Sequence, residues 1–175
     1  MTDVNFSLPV DRPSPARPAP PDVPIDMIEL LFFAYRDFTS DPDAALAEFG
    51  FGRAHHRVLH FVSRNPGLRV TDLLGILSIT KQSLARVLKQ LVEEDYILQE
   101  PGPVDRRERL LFATERGHAL ALRLMRLQAE RIRSALADLP QEGREAARVF
   151  LYNMIDPDQR ADVAHLIGHR KDQAP

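Results

Sequence analysis

Cysteine is missing from all 175 residues of this chain. Its absence excludes thiol redox sensing and any cysteine-based zinc site, and it fits a reducing compartment. Long apolar runs are missing too, so no segment reads as a bilayer-spanning helix. The polar, proline-rich start lacks the apolar core of a secretory leader. A cytoplasmic protein without membrane contact is expected. Catalytic signatures are equally scarce: there is no Gly-rich phosphate loop, no Gly-x-Ser-x-Gly turn and no cluster of metal ligands. Neighbouring acids such as Glu93 and Glu94 occupy adjacent helix positions and diverge, so they form no dyad. No segment repeats. The chain reads as a non-enzyme, with no cofactor and no metal expected.

Net charge is small as well, only −2. That argues against a polyanion-binding protein until the charge is divided along the chain. Residues 53–133 hold 15 Lys and Arg against 9 Asp and Glu, a balance of +6, while the remainder holds 8 against 16, a balance of −8. The middle is a cationic island in an acidic protein, and phosphate binding follows the local field rather than the total.

The island is organised around residues 80–94. Leu84, Val87, Leu88, Leu91 and Val92 fall at i, i+3, i+4, i+7 and i+8, the repeat of one buried helix face. Thr80 is placed to cap the start of that helix. Gln82, Arg86 and Lys89 line the opposite face, flanked by Lys81, Ser83 and Gln90. Arg and Gln can bond guanine and adenine edges bidentately in a major groove. Upstream, residues 71–77 read as a second short helix capped by Thr71, with Leu73, Leu74 and Leu77 apolar. Only Ser78 and Ile79 separate the two helices, the spacing of a helix-turn-helix. Downstream, the apolar runs Ile97–Leu98 and Leu110–Phe112 flank Pro101-Gly102-Pro103 and then Val104-Asp105-Arg106-Arg107-Glu108-Arg109. That reads as a hairpin with a cationic tip. Helix-turn-helix plus basic hairpin makes a winged helix.

These residues resemble the MarR family of transcription regulators. The wing carries Asp105-x-Arg107 and, at the family's distance, Thr114-x-x-Gly117; residues 91–97 are similar to the family's ending of the recognition helix. The chain departs from the pattern at Ser78 and Asp95, where the family usually has Gly, and at Ala113, where it usually has Leu. The resemblance covers roughly residues 25–155. It implies a mainly α fold: a winged helix-turn-helix with a small β-hairpin wing and N- and C-terminal dimerisation helices. It also implies a homodimer on an inverted-repeat operator of double-stranded DNA, with a small-molecule effector as a further candidate partner. Thr80, Lys81, Gln82, Ser83, Arg86 and Lys89 would contact DNA from the helix, and Asp105, Arg106, Arg107 and Arg109 from the wing. Asp105 would orient the Arg107 guanidinium by a charge-assisted pair. The thiol route by which some members sense peroxides is closed to a chain without cysteine.

Around this centre the chain divides into expected segments. Residues 1–24 hold seven of the fourteen prolines and read as a disordered tail. Residues 25–50 read as N-terminal dimerisation helices: a wide apolar face on Ile25–Phe38, then a short helix opened by Asp41-Pro42-Asp43 and closed by Gly50. Residues 51–113 form the winged helix-turn-helix. Residues 114–168 read as C-terminal dimerisation helices, the first capped by Thr114 and reaching Leu139. Residues 169–175 read as a loose tail. His55, His56 and His60 lack the third imidazole or carboxylate of a metal site. Under the resemblance, His56 and His60 are secondary candidates for effector contact. The rival reading is a winged-helix protein-docking module with the proline-rich tail as its hook.

Overall fold

The computed structural model describes residues 22–168; the expected tails therefore lie largely outside the described residues. The described residues divide into two compact units, one ending at Asp37 and the other starting at Phe38. Helix α1 (Ile25–Ala47) begins in the first and ends in the second. Within the first unit Leu30, Phe32, Phe33 and Tyr35 are more than half exposed, so the wide apolar face is open.

The second part of α1 corrects the expected break at Asp41-Pro42. Pro42 lies inside one continuous helix. A mid-helix proline removes one hydrogen bond and crowds the preceding turn, at a cost of about 3 kcal/mol or more. Here Thr39, Pro42, Ala45 and Leu46, spaced i, i+3, i+6 and i+7, are all buried on one face. Burial of that face offsets the lost bond, and the helix continues.

After α2 (Arg53–Arg64) comes a two-residue strand, β1 (Leu68–Arg69), which sequence pattern did not show. Helix α3 (Val70–Leu77) leads through a short turn to α4 (Lys81–Glu93). Strands β2 (Ile97–Pro101) and β3 (Arg109–Ala113) form the hairpin, and the antiparallel sheet runs in the order β1-β3-β2. Its register pairs Leu68 with Leu111, Ile97 with Ala113 and Pro101 with Arg109. Helix α5 (Glu115–Leu136) follows, shorter than expected because Ala137 and Leu139 bond the carbonyls three residues back and tighten the last turn. Helix α6 (Gln141–Asn153), a 3-10 turn (Pro157–Gln159) and α7 (Arg160–Gly168) complete the described chain. No residue of α6 is buried, and Val149, Phe150, Leu151 and Met154 are exposed.

The core belongs to the second unit. Leu46, Val58, Leu59, Val62, Leu73, Leu84, Leu91, Ile97, Leu111 and Leu124 are sealed from solvent. They come from α1, α2, α3, α4, both hairpin strands and α5, so the helix-turn-helix, wing and long helix share one interior. Each such side chain contributes about 1.5–3 kcal/mol of burial.

Candidate nucleic-acid interface

The predicted buried face of α4 is observed: Leu84, Val87, Leu88 and Leu91 are in the core. Thr80 caps the helix as expected, its Oγ1 accepting the Ser83 N–H at 3.1 Å and its hydroxyl donating to Ser83 Oγ at 2.9 Å. Two hydroxyls of the candidate interface are thereby tied to the helix start. Lys81, Gln82, Ser83, Arg86 and Lys89 are all exposed. Lys89 also lies 3.7 Å from Glu93, which partly neutralises it. Gln90 departs from the expected exposed flank: it is half-buried, its Oε1 2.9 Å from His55 Nε2 and its amide donating to Glu94 at 2.9 Å. Gln90 is a tie to α2.

The turn before α4 holds a strained serine. Ser78 takes φ 49° and ψ 47°, the left-handed region, and its N–H bonds the Leu74 carbonyl at 3.0 Å. The Arg57 guanidinium reaches across from α2 and donates to the Leu77 carbonyl at 2.8 Å. Thr71 does not cap α3. The helix begins one residue earlier, and Arg69, at the capping position, pairs with Asp72 instead.

At the far end of α4, Asp95 adopts φ 61°. The Tyr96 N–H returns to the Leu91 carbonyl at 2.8 Å and the Asp95 N–H to Val92 at 3.2 Å, closing the helix as a glycine would. The first turn of α5 seals this junction. Thr114 donates its hydroxyl to the Asp95 carbonyl at 2.7 Å and accepts the Gly117 N–H at 3.0 Å. Arg116 donates to the Glu94 carbonyl at 3.0 Å and lies over the Tyr96 ring at 4.3 Å. A Cβ on Gly117 would sit 1.9 Å from the Tyr96 carbonyl oxygen, so only glycine fits. The Thr114-x-x-Gly117 signature is a lock between α5 and α4.

The wing tip is closed by main-chain bonds: Gly102 N–H to Glu108 at 3.1 Å, and Glu108 N–H to Asp105 at 3.0 Å. Asp105 does not orient the Arg107 guanidinium. Its Oδ1 accepts the Arg107 main-chain N–H at 2.9 Å, because a short acid meets the N–H two residues on more easily than a side chain. Arg69 links the wing to α3, contacting Asp72 at 2.8 Å and Glu108 at 3.4 Å. Arg57, Arg69 and Arg116 are positioning residues that sequence reasoning missed, since Arg57 and Arg116 act on carbonyls and Arg69 reaches the wing through Glu108, 39 residues away.

The fate of the cations separates the interface from the rest. Within residues 53–133, the side chains of Lys81, Arg86, Arg106, Arg107, Arg109 and Arg126 have no hydrogen bond or ion pair among the described residues. Five of those six lie on α4 or the wing. Elsewhere the positive charge is engaged: Arg53 with Asp43, Arg123 with Glu48 in a bidentate pair at 3.0 Å, and Arg131 with Asp41 at 2.8 Å.

His56 is buried in α2, and desolvation holds its pKa below the usual imidazole range against the opposing charge of Asp43. His60 is half-buried, edge-on to the Phe61 ring. Among the described residues there is no group of His, Cys, Asp or Glu suited to hold a metal ion. No described helix is long and apolar enough to cross a membrane.

Residues 49–108 match the model of the MarR family. Over 133 residues the chain is 44% identical to the HTH-type transcriptional regulator PetP of Rhodobacter capsulatus, covering 76% of this chain and 80% of that protein. The chain belongs to the MarR family. Solved MarR-family structures share the fold at lower identity. The MarR protein from Peptoclostridium difficile superposes with a TM-score of 0.67 at 15% identity, covering 79% of this chain and 91% of that one. The S. aureus MepR–DNA complex gives 0.61 at 19%, covering 73% and 94%. The winged helix-turn-helix with its small sheet is thus the MarR arrangement, and the protein is a MarR-type transcription regulator.

Proposed function

We propose that this MarR-family regulator binds double-stranded DNA as a homodimer, reading an inverted-repeat operator. The carrying observation is the placement of free cations: five of six unpaired Lys and Arg in the basic island lie on α4 or the wing. Gln82 and Arg86 would reach base edges in the major groove, with Lys81, Lys89, Thr80 and Ser83 at the flanking backbone. Arg106, Arg107 and Arg109 would engage phosphates and the neighbouring minor groove, with Asp105 holding the tip in shape. The solved MepR–DNA complex supports the reading by likeness of fold. The exposed apolar residues of α1 and α6 suit a second copy, which would set the recognition helices about 34–36 Å apart. A docking module would not call for unpaired cations at these two places.

A salt titration tests the reading on operator and scrambled DNA. Arg86→Ala should cost about 1–3 kcal/mol on the operator and relax preference at one position per half-site. Arg107→Ala should weaken binding across sequences and lower the salt slope by about one unit. Unchanged affinity and slope in both folded variants would refute it.

A further inference from the structure

We infer that Val104 is a specificity-determining residue of the wing: an apolar tip that disfavours guanine beneath it in the minor groove. The inference rests on the DNA-binding reading above. Val104 is 97% exposed, the most open of the large hydrophobic side chains described. A single exposed apolar residue is ordinary by itself; its setting is not. Pro103 precedes it and Asp105 follows, and the Asp105 carboxylate is occupied by the Arg107 N–H. The tip is closed by the Gly102–Glu108 and Glu108–Asp105 main-chain bonds. Pro101 and Pro103 have fixed φ, and the β-branched Val104 has few χ1 choices. The loop therefore presents Val104 and two free guanidiniums, Arg106 and Arg107, in one shape.

That combination of stiff apolar group and arginine is minor-groove chemistry. A phosphate offers a valine nothing, and α4 occupies the major groove in the proposed mode. In the minor groove, G·C differs from A·T chiefly by the guanine N2 amine, a donor. Valine has no acceptor. Packed over that amine it would strip its water without replacing the bond, whereas over adenine or thymine it meets no stranded donor. Arg107 would supply attraction, and Val104 discrimination.

The test uses the full chain and a duplex selected from random-sequence DNA. The A·T pairs under the wing are replaced by G·C or by inosine·cytosine, which lacks only the N2 amine. The wild type should bind the A·T and inosine duplexes alike and reject G·C by about 5- to 150-fold. Val104→Asn, which brings an acceptor, should shrink that gap several-fold while A·T affinity stays within a few-fold. Arg107→Ala should weaken all three duplexes yet keep the gap. A G·C penalty undiminished in Val104→Asn overturns the inference while leaving the DNA-binding reading intact. So does sensitivity to uracil in place of thymine with no recovery of binding when inosine replaces guanine, which would put Val104 on a major-groove methyl. If neither variant alters binding, the wing does not touch DNA and both assignments of the wing fall.

Discussion

Replacing Gly117 with alanine should destabilise the protein, although helix propensity alone predicts the opposite. Gly117 lies in the first turn of α5, where alanine is favoured over glycine by about 0.8–1 kcal/mol. The structure reverses the sign. The added Cβ would sit 1.9 Å from the Tyr96 carbonyl oxygen and 2.9 Å from its carbon. Normal contact requires the two backbones to separate by more than ~1 Å, and neither atom belongs to a flexible side chain. The same carbonyl accepts the Thr114 N–H at 3.1 Å, beside the Thr114–Asp95 bond at 2.7 Å and the Arg116–Glu94 bond at 3.0 Å. Overpacking costs about 1–3 kcal/mol, and a loosened Thr114 cap about 1 kcal/mol more. Net destabilisation of about 1–3 kcal/mol is expected, read as a lower urea midpoint at unchanged m and one fixed protein concentration. Gly75→Ala is the control. It lies in α3, where an added Cβ meets nothing within 4 Å, and should stabilise by about 0.5–1 kcal/mol. A Gly117→Ala midpoint at or above wild type would refute the reasoning.

Three further outcomes are expected. Ser78→Gly should raise the melting temperature: the left-handed conformation at φ 49° costs a serine about 1–2 kcal/mol, more than glycine's entropy cost of about 0.5–1. His56 binds its proton less readily folded than unfolded, so stability should hold above the ordinary pKa of 6.5 and fall as pH drops from there toward the lower folded value. The fall is at most about 1.4 kcal/mol per pH unit, and urea midpoints of His56→Gln should lack this component. Arg69→Ala should change global stability by less than about 1 kcal/mol, because its ion pairs are exposed; hydrogen exchange should nevertheless quicken at the Gly102 and Glu108 amides.

The parts legible in the sequence were those governed by local periodicity and capping. The face through Leu84, Val87, Leu88 and Leu91 and the caps at Thr80 and Thr114 need only neighbours within a turn or two. Pro42 misled because its local rule is a helix start, whereas burial of Thr39, Ala45 and Leu46 around it is a tertiary fact. Strand β1 carries only two residues, too few to show alternation. Gln90 faced outward by helix arithmetic, but its partner His55 lies 35 residues away. Asp105 was assigned to a guanidinium by charge, where the nearer main-chain N–H takes the bond.

Two of the missed residues, Arg57 and Arg116, join the Thr114-x-x-Gly117 signature in bracing the segment that carries α4. Arg57 of α2 fixes the Leu77 carbonyl just before the strained Ser78 turn. Thr114 and Arg116 of α5 fix the Asp95 and Glu94 carbonyls at the other end, with Gly117 against Tyr96. Base-edge bonds tolerate displacements of only a fraction of an ångström before they lengthen out of range. A helix held by its buried leucines alone could slide along its own axis while keeping its apolar face covered. Clamps on the last carbonyl of α3, just before the turn into α4, and on the carbonyls that end α4 restrict that freedom. They also tie α4 to α5, since no shift of the first turn of α5 can leave the Thr114, Arg116 and Gly117 contacts in place. The placement of Gln82 and Arg86 therefore depends on α5 as well as on the helix that carries them.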